Sequence, residues 1–214
     1  MAVKKPETKT EVKKETPLVS GRVAEIKRKT KETDITCKIN IDGNGKYDIS
    51  TGIGFFDHML ESFTKHSGID LSLVANGDLR VDNHHTVEDT GIVLGQAIAK
   101  ALGEKKGINR YASFVMPMDD ALVLCAIDIS GRPYLNFDYD FKVERVGYFE
   151  TETLKEFFYA LSYSAGMNIH FKIMDGDNTH HIIEAMFKAF ANALKIAATV
   201  GRDASEVLST KGSL

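Results

Sequence analysis

The chain has 214 residues, 43% of them hydrophobic, a formal net charge of -3, seven histidines and two cysteines. That length buries the core of one or two domains, and the small charge excludes a general pull toward nucleic acid or an anionic membrane surface. No apolar run approaches the ~20 residues that span a bilayer.

The N-terminus shows no apolar signal-peptide region. Residues 1 to 19 mix lysines with Glu7, Glu11, Glu15, Pro6 and Pro17, a disordered tail by composition, whose acids argue against a transit peptide. From Arg22 to Lys31 apolar and basic residues alternate, and Ile35-Cys37-Ile39-Ile41 alternates again. With the turn signal Asp42-Gly43-Asn44-Gly45 this predicts a hairpin of strands. Gly52-Ile53-Gly54 leads to helical spacing over Phe55–Phe63, which Gly68 stops; Ile69-Leu71-Leu73 is a strand, followed by a helix to about Leu102. Val115 to Ile129 then alternates, Ser130-Gly131-Arg132-Pro133 turns, and Tyr134 to Phe141 is another strand. Leu154–Leu161 is a helix stopped near Gly166, Ile169-Phe171-Ile173 a strand, and a last helix runs to about Val200.

The two long helices open alike. Asp82-Asn83-His84-His85-Thr86-Val87-Glu88-Asp89 is nearly repeated as Asp177-Asn178-Thr179-His180-His181-Ile182-Ile183-Glu184, so that four of the seven histidines fall in two HHxxE motifs. On a helix, positions i and i+4 share a face while i+1 points about 100° away. His84 with Glu88, and His180 with Glu184, can each hold one metal ion, whereas His85 and His181 point to a different ion. Two histidines plus a carboxylate are an established transition-metal set. Each site then needs ligands from elsewhere in the sequence or from another subunit.

The motifs belong to an internal repeat of about 95 residues. Cys37 to Gly43 matches Cys125 to Gly131, and His58 to Gly68 matches Glu156 to Gly166. The halves, 20–116 and 117–214, form one compact catalytic unit of α+β class, with helices on one face of the sheets. His58, beside Asp57 in an apolar run, is either a ligand or a buried structural histidine; Glu156, its repeat-mate, is either an oxygen ligand or a solvent-facing helix residue. His66 lies near a helix end, and His170 reads as structural. Cys37 and Cys125 sit in strand-like runs without a metal-ligand spacing partner, and so read as free thiols of a reducing cytoplasm.

Anion-binding candidates are Arg110 and Arg132 in loops, Lys188 one turn beyond Glu184, and Leu208-Ser209-Thr210-Lys211-Gly212, with hydroxyls, backbone N–H groups and an ammonium for a nest. Glu32, Asp119 and Asp120 stand next to strands, and any one of them is a candidate general base.

Taken together, Gly54-Phe55-Phe56-Asp57-His58-Met59-Leu60, both HHxxE segments with Gly91, Phe187-Lys188-Ala189 and Ser209-Thr210-Lys211-Gly212 resemble the imidazoleglycerol-phosphate dehydratase family over about residue 22 to Leu214. The resemblance implies a duplicated α+β fold, a homo-oligomer of 24 subunits, and two manganese ions per active site shared between subunits. It implies His58, His84, His85, Glu88, His180, His181 and Glu184 as ligands. It implies substrate contacts from Glu32, His66, Arg110, Arg132, Lys188 and Thr210 to Gly212. Many members carry His where this sequence has Glu156, so the coordination there departs from the family's. The implied reaction removes water from D-erythro-imidazole-glycerol phosphate to give imidazole-acetol phosphate in histidine biosynthesis. His84 and Glu184 then serve the catalytic metals, and Glu32, or else a metal-bound water or hydroxyl, moves the proton. Lewis-acid stabilisation of developing charge is the expected main contribution. Two other classes share these ligands: a dinuclear metallohydrolase, and a metal-binding assembly protein without catalysis, which would need no phosphate clamp.

Overall fold

The computed structural model describes residues 21–201, 206–212 and 214; the tail expected over 1–19 lies outside them. Alternation builds the first sheet. In β2 (Thr33–Asn40), Ile35, Cys37 and Ile39 face the core while Asp34 and Lys38 face out. β2 pairs antiparallel with β1 (Val23–Lys29) and with β4 (Asp70–Gly77), and β3 (Tyr47–Ser50) adds parallel to β4, giving the order β1-β2-β4-β3.

The second sheet copies this plan. β5 (Tyr111–Met118) and β6 (Ala121–Asp128) are antiparallel, β10 (Asn168–Asp175) pairs with β6, and β7 (Tyr134–Asn136) adds parallel to β10. The repeat keeps its register at the cysteines. Cys37 stands opposite Ile26 and Leu73, and Cys125 opposite Phe114 and Phe171.

Three expectations about turns and strands are corrected. The first hairpin turns at Thr30–Glu32, where Thr30 Oγ1 accepts the N–H groups of Glu32 and Thr33 at 3.1 and 3.0 Å. The Asp42–Gly45 segment instead leads into β3 and is pinned by Asp70, whose carboxylate accepts the N–H groups of Asn44 and Lys46 at 2.8 Å. Val115 to Ile129 is not one strand but the end of β5 and all of β6, folded at Asp119, which takes φ 49°. The strand expected over Tyr134–Phe141 ends at Asn136. Beyond it Phe137 packs on Phe171, and β8 (Arg145–Val146) with β9 (Phe149–Glu150) forms a small separate ribbon. The second sheet's first strand starts at Tyr111, ahead of the 116/117 boundary.

Four helices complete the fold: α1 (Gly54–Ser67), α2 (His84–Leu102), α3 (Thr153–Ala165) and α4 (Thr179–Ala198). Gly68 and Gly166 end α1 and α3 in the left-handed conformation, where any residue with a Cβ would be strained. α2 covers β1 and β2, and α4 covers β5 and β6. Crosswise, α1 of the first half packs on α4 of the second, and α3 of the second half packs on α2 of the first. Phe63 stacks on Phe190 at 5.7 Å, while Phe157 and Phe158 meet Phe187 at 5.5 and 5.2 Å. These rings are fully buried or nearly so, each worth about 1.5–3 kcal/mol of burial. The two halves therefore share one core.

Candidate active site

Both HHxxE motifs occupy first helical turns, because each apolar period begins just after them. Asn178 caps α4, its amide oxygen accepting from the N–H groups of His180 and His181. At α2 the capping acceptor is Asp82, which takes the His84 N–H at 2.9 Å, while Asn83 donates to the Tyr148 carbonyl.

The i, i+4 geometry holds in both copies. His84 Nε2 lies 3.6 Å from Glu88 Oε2, and His180 Nε2 lies 3.4 Å from Glu184 Oε2. The crosswise helix packing then brings His58 of α1 to His180 and Glu184 of α4. The three ligand atoms lie within 4.8 Å of one another, the one such group among the described residues. Mixed nitrogen and oxygen donors at that spacing fit the coordination sphere of a divalent transition ion. His58 is exposed, not a buried structural histidine. Glu156, on the corresponding turn of α3, is half-buried, belongs to no such group, and faces a groove with Lys155, Arg145 and Glu150.

His85 and His181 point away from their neighbours, and each is held through Nδ1 by a carboxylate. Asp78 lies 3.1 Å from His85 Nδ1, and Asp120 2.5 Å from His181 Nδ1. The hydrogen bond to the aspartate raises each imidazole above its ordinary pKa. Asp120 is pulled well below the usual carboxylate range, first by the Asn178 N–H, then by His181 and by the Asp177 N–H. Nδ1–H donation to the aspartate leaves Nε2 free to ligate. Each sheet supplies a second acid toward it from the β1–β2 or β5–β6 turn: Glu32 Oε1 is 3.9 Å from His85 Nε2, and Asp119 Oδ2 is 3.6 Å from His181 Nε2.

Lys188, one turn beyond Glu184, pairs with it at 2.8 Å and is itself largely buried. Burial alone would raise Glu184; the Lys188 hydrogen bond and charge, with His58 and His180, bring it below its ordinary value. His66 is lowered by burial and then by the Lys188 charge, so it too lies in this neighbourhood. His170 is exposed, its ring 5.5 Å from that of Tyr134.

The anion candidates other than Lys188 gather separately. Arg110, Arg132, Ser209, Thr210 and Lys211 line one open cleft of about 770 Å³, with Tyr111 and Glu206. Gly212 closes the turn below it, its N–H donating to the Ser209 carbonyl at 3.0 Å. Arg110 is fixed by Asp128 at 2.7 and 3.0 Å and by the Leu208 carbonyl at 2.7 Å. Its φ of 76° is maintained by backbone bonds to Ala197 and from Ile129. No residue of either HHxxE motif lines this cleft.

Sequence reasoning singled out Asp119 and Asp120 as possible bases, not as supports of His181, and missed Asp78 and Asp89. A charged residue just past a strand that ends near an HHxxE helix is the only signal Asp78 offers.

Fold and site together define a class: a duplicated α+β protein with carboxylate-supported histidines, one group of which could hold a metal ion, and an open cleft lined by Arg110, Arg132 and Lys211. The family model described as imidazoleglycerol-phosphate dehydratase matches residues 51–194. A relative of that name from Lachnoclostridium phytofermentans is 63% identical over 194 residues, spanning 91% of this chain and 99% of its own. One from Acetivibrio thermocellus is 60% identical over 193, spanning 90% and 99%. The crystal structure of the Staphylococcus aureus dehydratase superposes with TM-score 0.76 at 42% identity, covering 84% of this chain and 99% of that one. The Pyrococcus furiosus enzyme, solved in complex with (S)-C348, gives 0.77 at 42% identity, covering 88% and 100%. The chain belongs to the imidazoleglycerol-phosphate dehydratase family, and is a dehydratase, that is, a hydro-lyase.

Proposed function

We propose that this protein dehydrates D-erythro-imidazole-glycerol phosphate to imidazole-acetol phosphate, in histidine biosynthesis, with two manganese ions per active site. The observation that carries this is the convergence of His58, His180 and Glu184 within 4.8 Å in a member of this family. His58, His180 and Glu184 would hold one ion. His84 and Glu88 would hold the other, with Glu156 contributing in the place that corresponds to His58. His85 and His181, aimed away from these pairs, would complete the sites of neighbouring copies.

Bound manganese would supply Lewis-acid stabilisation of charge developing on the imidazole ring as the adjacent hydroxyl departs. The protein's own groups do the rest. Arg110, Arg132, Lys188 and the Ser209–Gly212 turn hold the phosphate as charge-assisted donors. His66 contacts the substrate near Lys188. Glu32, 3.9 Å from His85 Nε2, takes the proton from a carbon of the substrate's glycerol arm, and the resulting enol ketonises. In balance, one C–O and one C–H bond break, and water leaves.

The anion cleft is lined by none of the histidines, which supports a site completed between copies. We take the assembly to be a homo-oligomer of 24 subunits in the cytoplasm. Among the described residues no helix is long and apolar enough to cross a membrane. The cationic cleft disfavours a metal-binding protein without catalysis.

The test is direct. Strip the purified protein with chelator, restore manganese, and assay imidazole-acetol phosphate and the mass in solution. Manganese-restored dehydration by a large assembly is expected. Absence of restored activity overturns the reaction assigned, and an active monomer overturns the shared sites.

A further inference from the structure

Glu32 stands on a three-residue turn whose conformation Thr30 and Thr33 set, but whose placement against α2 they do not set alone. Its carboxylate arm is 54% exposed and touches His85 only at 3.9 Å. What holds the turn against α2 is Asp89, one residue beyond the Glu88 ligand and buried at 7% exposure. Asp89 Oδ2 accepts the Thr33 hydroxyl at 2.5 Å, in a buried contact spanning 56 positions of sequence. Arg28 Nη1, from the strand leading into the turn, approaches the same oxygen at 2.5 Å. That approach lacks hydrogen-bond alignment and is a Coulombic pair. Thr33 in turn closes the turn on Thr30 through its backbone. One carboxylate therefore ties both strands flanking Glu32 to the helix that carries His84, His85 and Glu88.

The corresponding turn of the second half is held differently. Asp119 and Asp120 themselves reach His181, and Asp120 also accepts the Asp177 and Asn178 N–H groups just ahead of α4. There the turn's own acid is the tether. In the first half the turn's acid is free for other work, and a separate residue does the tethering.

We infer that Asp89 is a positioning residue for Glu32: through Thr33 and Arg28 it sets the distance between the proton-transfer carboxylate and the HHxxE helix. This rests on the dehydratase reading above. Loss of such positioning by about 1 Å costs catalysis up to ~100-fold without removing a substrate contact.

The experiment uses the full-length manganese-loaded protein and compares Thr33→Val, Thr33→Ser and Asp89→Asn with the wild type. Thr33→Val removes one tether while leaving the Arg28–Asp89 pair, so it keeps the fold even where Asp89→Asn does not. Two readouts are taken: kcat and KM, and hydrogen exchange of the 30–33 amides in the same loaded protein. Expected for Thr33→Val are faster exchange confined to that turn, kcat down about tenfold, KM unchanged, and recovery of both in Thr33→Ser. Unchanged exchange in Thr33→Val, or faster exchange with wild-type kcat, overturns the inference while leaving the dehydratase reading intact. A wild type that fails to dehydrate overturns that reading and the catalytic half of this one, and the exchange data then judge the tether alone.

Discussion

Asp120 holds His181 through its Nδ1 at 2.5 Å and, with its other oxygen, accepts the N–H groups of Asp177 and Asn178 at 2.7 and 2.8 Å. A single exposed carboxylate thus fixes both the start of α4 and the direction in which one of its histidines points. Outer carboxylates of this kind typically carry 10–100-fold in metal affinity. Asp120→Ala should weaken divalent-metal binding by about that factor. Asp120→Asn, which keeps an acceptor for the backbone N–H groups, should fall between. Competition with a chromophoric chelator measures it, and wild-type affinity in Asp120→Ala would remove the supporting role. Asp78→Ala makes the parallel test for His85.

The histidine–carboxylate pairs that could be read from sequence are those whose partners lie one helical turn away. His84 with Glu88 and His180 with Glu184 followed from i, i+4 spacing alone. The repeat was readable because Cys37 and Cys125 keep one register in β2 and β6. The convergence of His58 on His180 depends on α1 crossing to the other half's α4, and periodicity within each helix carries no record of which helix it crosses. The Asp78, Asp89 and Asp120 contacts are likewise set by sheet pairing. The first hairpin was misplaced because Thr30, whose hydroxyl builds the true turn, lacks the glycine signal that Asp42–Gly45 displays.

The crosswise contact of α2 with α3 is close enough to exclude a methyl group. A Cβ on Gly95 would stand 2.7 Å from the Leu161 carbonyl oxygen and 3.1 Å from the Ala165 nitrogen; one on Gly91 would stand 2.5 Å from the Phe157 carbonyl oxygen. Alanine in a helix interior gains about 1 kcal/mol over glycine, but overpacking against backbone costs about 1–3 kcal/mol. The second effect should win because helix backbones cannot yield as side groups can. Gly95→Ala is expected to lower unfolding free energy by up to about 2 kcal/mol in urea titration. A stabilised variant would show that the helices separate freely.

Cys37 and Cys125 are free and fully buried. Burial pushes the Cys37 thiol up to about 12, and Cys125 higher still. Because the thiolate is the nucleophile, neither should react with a disulfide reagent at pH 8 in the native protein. Both should titrate after unfolding in urea. Rapid reaction of one thiol before unfolding would mean that its sheet opens locally.

Arg22 clamps Asp42 at 3.0 and 2.6 Å and donates to the Ala198 carbonyl at 2.7 Å, joining the start of β1, the loop after β2 and the end of α4. The Arg22 hydrogen bond outweighs partial burial and holds the Asp42 carboxyl below its ordinary value. A depressed folded value means that the ionised form is favoured by folding. The contribution is present above the unfolded carboxylate pKa of about 3.9 and is lost as pH falls through the folded value. Asp42 is 45% exposed, so solvent screening limits the pair to about 1 kcal/mol or less. Asp42→Asn should therefore be less stable than the wild type by up to that amount between pH 5 and 7. The gap should shrink toward zero below pH 3, read by urea midpoints of the metal-free protein. A gap that stays constant with pH would assign the loss to altered loop packing rather than to charge.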